Sequence, residues 1–169
     1  MGGYSHLSHE FLPVYDERSK VLILGSFPSV KSREQGFYYG HPQNRFWKVM
    51  ASLCDELVPV MIEEKKAMLL KHHIAIWDVI DSCDIIGSSD SSIKNVVPAD
   101  IAGLLRKTQI KRIFANGKTA EKLYNKYVKE QTGKEISVLP STSPANAACS
   151  FDKLVEVWRE ELGDVKCLK

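Results

Sequence analysis

Three short runs of this chain are apolar almost without interruption, and they limit its fold more than any other feature. They are Lys20–Gly25, with Val21-Leu22-Ile23-Leu24 inside it, Ile74–Ile80 (Ile-Ala-Ile-Trp-Asp-Val-Ile) and Lys111–Asn116. A strand with one wet face alternates apolar and polar residues; these do not, so both of their faces must be covered. Glu135–Leu139 is a fourth, weaker run. Helical spacing fills the gaps. Asn44–Cys54 places Phe46, Trp47, Met50 and Leu53 on one side, and Pro59 stands as a first helical residue ahead of Val60–His73. Pro98 is expected to open a short helix through Lys107. Lys118–Gln131 is closed by Gly133, and Phe151–Leu162 carries Leu154, Val155 and Trp158 at helical spacing. Strands that alternate with helices and are buried on both faces predict an α/β fold, a three-layer α/β/α sandwich with a central four-stranded parallel sheet. The expectation is a single domain over 1–169, with 1–10 and 164–169 at its periphery.

Pockets in such folds lie beyond the carboxyl ends of the strands. Here that edge collects Gly25–Ser29, Asp78–Asp81, Asn116-Gly117 and Leu139–Ser143. The remaining composition narrows the chemistry. No stretch approaches the length of apolar residues a membrane span requires, and Met1–His6 lacks the basic-then-apolar pattern of a secretory signal. The expectation is a cytoplasmic protein, nucleoid-associated if prokaryotic. Cys54, Cys83, Cys149 and Cys167 are scattered with no CxxC pair, so neither a metal site nor an iron–sulfur cluster is expected, and no cofactor. A net charge of +2 does not announce a nucleic-acid partner. Any DNA-binding face must come from local cations: Lys31 and Arg33, Arg45 and Lys48, Lys118 and Lys122.

Two segments carry the chemistry. Gly25-Ser26-Phe27-Pro28-Ser29 follows the first strand as a small-residue turn; Tyr38-Tyr39-Gly40-His41-Pro42-Gln43-Asn44-Arg45-Phe46-Trp47 sets aromatics and an amide ahead of a helix. Aromatic rings can stack a flat ligand and an amide can orient a water beside it. With Leu139-Pro140-Ser141-Thr142-Ser143-Pro144-Ala145-Asn146, these segments resemble the uracil-DNA glycosylase superfamily, most closely its hypoxanthine-DNA (deoxyinosine) glycosylase branch. The resemblance runs from about Phe11 to Leu162 and implies a monofunctional enzyme that hydrolyses the N-glycosidic bond of a deaminated base in DNA. Hypoxanthine is the foremost substrate it suggests.

Residue by residue, the resemblance implies Asn44 as the catalytic group, its carbonyl orienting water; capping of the following helix is the competing role. Tyr39 is the stacking residue, in the place where the mismatch-specific branch has an aromatic. Ser26, Phe27, Pro28 and Asn116 join it around the base, Asn116 having a tight turn as its alternative. Ser29, Lys31, Ser141, Ser143 and Pro144 are expected to contact DNA. Three departures matter. Phe27 stands where much of the superfamily has a water-positioning Asp or Asn. Leu139 stands where uracil-specific members have a His. Ser143 stands where related enzymes have an apolar wedge, leaving Pro144 as a blunt one. These departures keep two other readings open: a uracil or mismatch-specific glycosylase, and a catalytically inactive DNA-binding member of the fold. Asp78, Asp81 and Asp90 are expected to be solvated or capping residues. His6, His9, His72 and His73 are read as surface or helix-end residues, and His41 as loop packing. A monomer is expected.

Overall fold

The structure, a computed structural model, describes residues 3–163. Its centre is a parallel sheet of four strands in the order β3-β2-β6-β7: β2 is Val21–Gly25, β3 Ile74–Asp78, β6 Arg112–Asn116 and β7 Ser137–Leu139. The register brings the carboxyl ends level, with Gly25 opposite Asp78, Leu24 opposite Ala115 and Asn116 opposite Leu139. All of β2 is buried. Its alternate residues enter two separate cores, because successive side chains of a strand point to opposite faces. Val21 and Ile23 pack with α2 (Phe46–Cys54), α3 (Ile62–Lys71) and α7 (Phe151–Leu162) through Phe46, Met50, Leu69, Leu154 and Trp158. Leu22 and Leu24 pack with α4 (Ile101–Arg106) and α5 (Lys118–Tyr127) through Ile101, Leu104 and Tyr124. The predicted sandwich is therefore present, with its apolar layers where the unbroken runs required them.

The structure adds a second, antiparallel sheet in the order β1-β4-β5, made of Ser5–Ser8, Ile80–Ile85 and Lys94–Pro98. It corrects several boundaries. The run Ile74–Ile80 is not one strand: β3 ends at Asp78, and Ile80 begins β4 in the other sheet. Val79 and Ile80 still donate to the carbonyls of Gly25 and Ser26 (2.8 and 3.1 Å), so the apolar run continues across the change of sheet. Pro98 ends β5 instead of opening a helix; the cap of α4 is Asp100, whose side chain accepts from the Gly103 amide at 3.0 Å. The helix expected over Lys118–Gln131 breaks at Val128 into α5 and α6 (Lys129–Thr132), and Gly133 closes it at φ 66. An unpredicted α1, Val30–Gln35, starts from a Ser29 cap. Residues 3–10 include β1 and lead into His9, whose side chain is buried against the central sheet. Residues 164–169 lie outside the described residues. No described helix is long and apolar enough to cross a membrane.

Candidate active site

At the level edge of the sheet, Gly25 leaves room for its neighbours. A Cβ there would lie 2.5 Å from Asp78 Oδ1 and 3.1 Å from Tyr39 Oη. The Asp78 side chain is 5% exposed and is held by the ring of His9, whose Nε2 lies 2.8 Å from Oδ2 while only 3% of the His9 side chain is exposed. This burial corrects the reading of Asp78 as solvated or capping and of His9 as a surface or helix-end residue. A buried carboxylate needs a partner, and His9 supplies it from 69 residues away. The rings of Phe11, Phe27 and Tyr38 surround His9.

Tyr39 stands over this floor. One face of its ring stacks on Phe46, with centroids 4.0 Å apart and planes 18° from parallel, and the residue is only half-buried. Its backbone has φ 55, unusual for a non-glycine residue. The hydroxyl is buried and forms no hydrogen bond of ordinary geometry among the described residues. Burial, then the nearby charge of Asp78, pushes its pKa far up; the Asn116 amide opposes the shift. Tyr38 is wholly interior and donates to the Leu12 carbonyl.

Asn44, Asn116 and Thr142 form one hydrogen-bonded unit joining three loops. Asn44 Oδ1 accepts from the Phe46 amide (2.9 Å) and from Thr142 Oγ1 (2.8 Å). Asn116 Nδ2 donates to Thr142 Oγ1, and the Thr142 amide donates back to Asn116 Oδ1, both at 3.0 Å. The carbonyl of Asn44, expected to orient water, thus already accepts two hydrogen bonds. It helps cap α2, and the NH2 group of this half-buried residue has no acceptor among the described residues. Asn116 is tied to Thr142 through both ends of its amide, which favours its loop-building role over free base recognition. Leu139 is fully buried beside it and presents nothing polar to the edge.

Arg45 fixes the loop that follows β7. Its guanidinium donates to the carbonyls of Cys149, Ser143 (3.2 Å) and Asn146 (3.1 Å), and its amide donates to the Thr142 carbonyl (3.1 Å). Ser141 Oγ accepts from the Ser143 amide, and Ser143 Oγ from the Ala145 amide. Both hydroxyls therefore shape the turn around the half-exposed Pro144. On the other loop, Ser29 caps α1, and Pro28 is buried with its carbonyl accepting from Arg33. Ser26 and Phe27 are half-exposed, with Arg33 over the Phe27 ring. Lys31 is exposed and paired with Glu34 at 3.4 Å. Asp90 is exposed as a residue, yet its carboxyl is crowded by protein, which raises its pKa against hydrogen bonds from Thr119 and Ser26. The structure therefore gathers Ser26, Tyr39, Asn44, Asn116 and the Ser141–Pro144 loop at one edge. It also brings in Asp78, His9, Thr142 and Arg45, to which the sequence assigns no place in the base pocket; Asp78 and Thr142 do lie in the segments expected at that edge. Such a site offers an aromatic face, a buried acceptor in Asp78 and an amide donor in Asn44.

The sequence matches the model of the uracil DNA glycosylase superfamily over residues 12–162. A curated relative from Methanosarcina acetivorans, named hypoxanthine DNA glycosylase, is 38% identical over 145 residues, covering 85% of this chain and 90% of its own. A protein of the same name from Methanosarcina barkeri is 33% identical over 138 residues, covering 80% and 86%. Among solved structures, the solution structure of a candidate uracil DNA glycosylase from Methanosarcina acetivorans superposes with a TM-score of 0.78. It is 34% identical and covers 94% of this chain and 96% of that one.

Proposed function

The chain belongs to the uracil DNA glycosylase superfamily, and from that membership we propose that it hydrolyses the N-glycosidic bond of hypoxanthine in deoxyinosine-containing DNA. Two relatives similar over most of their length carry that activity in their names. The observation that carries the reading is the half-buried Asn44 amide, held rigidly at the carboxyl edge together with the Tyr39 ring. A base inside a duplex cannot be reached, so it is flipped out to meet this edge. The Tyr39 ring takes the flat purine and restores about 1–3 kcal/mol of stacking. As the bond to the sugar breaks, the base leaves with negative charge and the sugar acquires oxocarbenium character. Placed donors stabilise that charge more than they stabilise the bound substrate.

Buried Leu139 supports a purine over uracil, since the position that would donate to uracil holds no polar group. No lysine occurs in Gly25–Ser29, Tyr38–Trp47 or Leu139–Asn146, which supports simple hydrolysis without a Schiff base. The Ser141–Pro144 loop, anchored from behind by Arg45, contacts the duplex in this reading, together with Lys31 and Ser29. The enzyme works as a monomer where the cell keeps its DNA, the cytoplasm or nucleoid in a prokaryote. The occupied Asn44 carbonyl, together with Phe27, favours one second reading, a DNA-binding member without catalysis.

Single-turnover base release from duplexes containing hypoxanthine, uracil or xanthine tests the proposal, with Asn44→Ala alongside. Hypoxanthine release that disappears in the variant is the expected result. Release of uracil alone would overturn the specificity. Duplex binding without release of any base would leave the non-catalytic reading.

A further inference from the structure

We propose that Thr142 is a positioning residue that sets which end of the Asn44 amide meets the ligand, making Asn44 a hydrogen-bond donor to the departing base. The inference rests on the glycosylase reading and deepens it. The orientation follows from hydrogen-bond direction. The Phe46 amide can only donate, so the Asn44 atom 2.9 Å away is its oxygen. Thr142 Oγ1 accepts a hydrogen bond from Asn116 Nδ2, and its own proton lies toward Asn44 Oδ1. A carbonyl oxygen has two lone pairs, and here both are filled. Thr142 itself is fully buried, with its amide bonded to Asn116 Oδ1 and its carbonyl to the Arg45 amide, so it cannot turn away. Asn44 Nδ2 makes no hydrogen bond among the described residues, and its residue is half-buried at the edge.

Two N–H groups with no acceptor among the described residues suit one partner in this reaction. The C1′–N9 bond breaks with its electron pair passing to the purine. Water adds through oxygen to C1′, and one water proton ends on the released base. Negative charge therefore grows on the purine's acceptor atoms as the bond lengthens. A fixed donor strengthens its hydrogen bond as this happens, while a fixed acceptor gains nothing.

Asn44→Asp separates the roles. The carboxylate keeps both acceptor bonds and caps α2 as well as asparagine does, but it has no N–H. We expect Asn44→Asp to melt near the wild-type temperature while its single-turnover rate on deoxyinosine duplex falls as far as that of Asn44→Ala, about 10²–10³-fold. Thr142→Val should lower the rate about tenfold or more, with lesion-duplex binding changed far less, and Thr142→Ser should restore most of that loss. A folded Asn44→Asp protein with a rate near or above wild type would overturn the donor assignment. Equal rates for Thr142→Val and Thr142→Ser would overturn the positioning role. Should the wild type release uracil and not hypoxanthine, the hypoxanthine reading fails, and the rates of the same variants on uracil duplex decide the donor and positioning roles by the same criteria. A wild type that releases no base overturns both proposals together.

Discussion

Gly25→Ala is the smallest change that tests the floor of the site. The added carbon would lie 2.5 Å from Asp78 Oδ1, about an ångström short of ordinary contact, and 3.1 Å from Tyr39 Oη. Gly25 lies in a fully buried strand paired with β3, so the backbone cannot retreat without disturbing the sheet. Asp78 cannot swing freely either, because its other oxygen is held by His9 and both side chains are buried. Overpacking of this kind costs about 1–3 kcal/mol, and loss of the buried His9–Asp78 bond would add about 1–3 more. We therefore expect a loss of about 2–6 kcal/mol in urea unfolding, or a melting point lower by roughly 4–24 °C for a chain of this size. In an Asp78→Ala background the offending oxygen is gone, and the same substitution should cost less than about 1 kcal/mol. Equal costs in the two backgrounds, or a single variant within about 0.5 kcal/mol of wild type, would refute the crowding argument.

Removing the Tyr39 hydroxyl should be near neutral in thermal melts, because among the described residues that buried group forms no hydrogen bond of ordinary geometry. Tyr39→Ala should weaken lesion-duplex binding by about 1–3 kcal/mol beyond any effect on undamaged duplex; equal losses on both would count against stacking. Arg45→Met deletes hydrogen bonds to three carbonyls of the loop after β7. It should cost about 1.5–3 kcal/mol of stability and speed limited proteolysis within 141–149; an unchanged cleavage pattern would refute the anchoring role. Glu56 has its carboxyl pKa lowered, first by its hydrogen bond to His72 and then by Lys71, against opposing burial. Its contribution is therefore complete above the ordinary carboxylate range and is lost as pH falls through the depressed value. The wild-type urea midpoint should drop more than that of Glu56→Gln as pH is lowered past 4.5; parallel curves would reject the assignment.

The sheet can be read in advance because burial on both faces leaves a pattern within one strand: Val21-Leu22-Ile23-Leu24 has no polar position at which a wet face could begin. β1, β4 and β5 leave no such pattern. His6, Asp84 and Lys94 interrupt these short strands with charged or polar side chains, and Ser5 pairs with Ile85 from the far end of a long intervening segment. Nothing in Ile74–Ile80 marks the passage from one sheet to the other, since both sides of Val79 are buried. The same logic divides the site. Tyr39 and Asn44 lie in segments whose composition announces a ligand. The partners that give the site its chemistry, Thr142 for Asn44 and His9 for Asp78, lie 98 and 69 residues away in sequence. A lone histidine and a lone aspartate look solvated until the fold pairs them. In sequence Arg45 looks like a DNA-facing cation, and only the loop carbonyls around it show where its charge is used.

The level edge also has a consequence for synthesis. β2, the strand at the heart of the sheet, is made early, but its neighbours are β3 and β6, and β7 closes the far side only at residues 137–139. Trp158, which covers the Phe46 side of the sheet, comes later still. A growing chain therefore carries Val21-Leu22-Ile23-Leu24 without its final cover for most of translation. Long-range parallel pairing of this kind is slow and aggregation-exposed. Yield in a host cell should consequently depend on ribosome speed and chaperone supply more than the compact finished domain suggests.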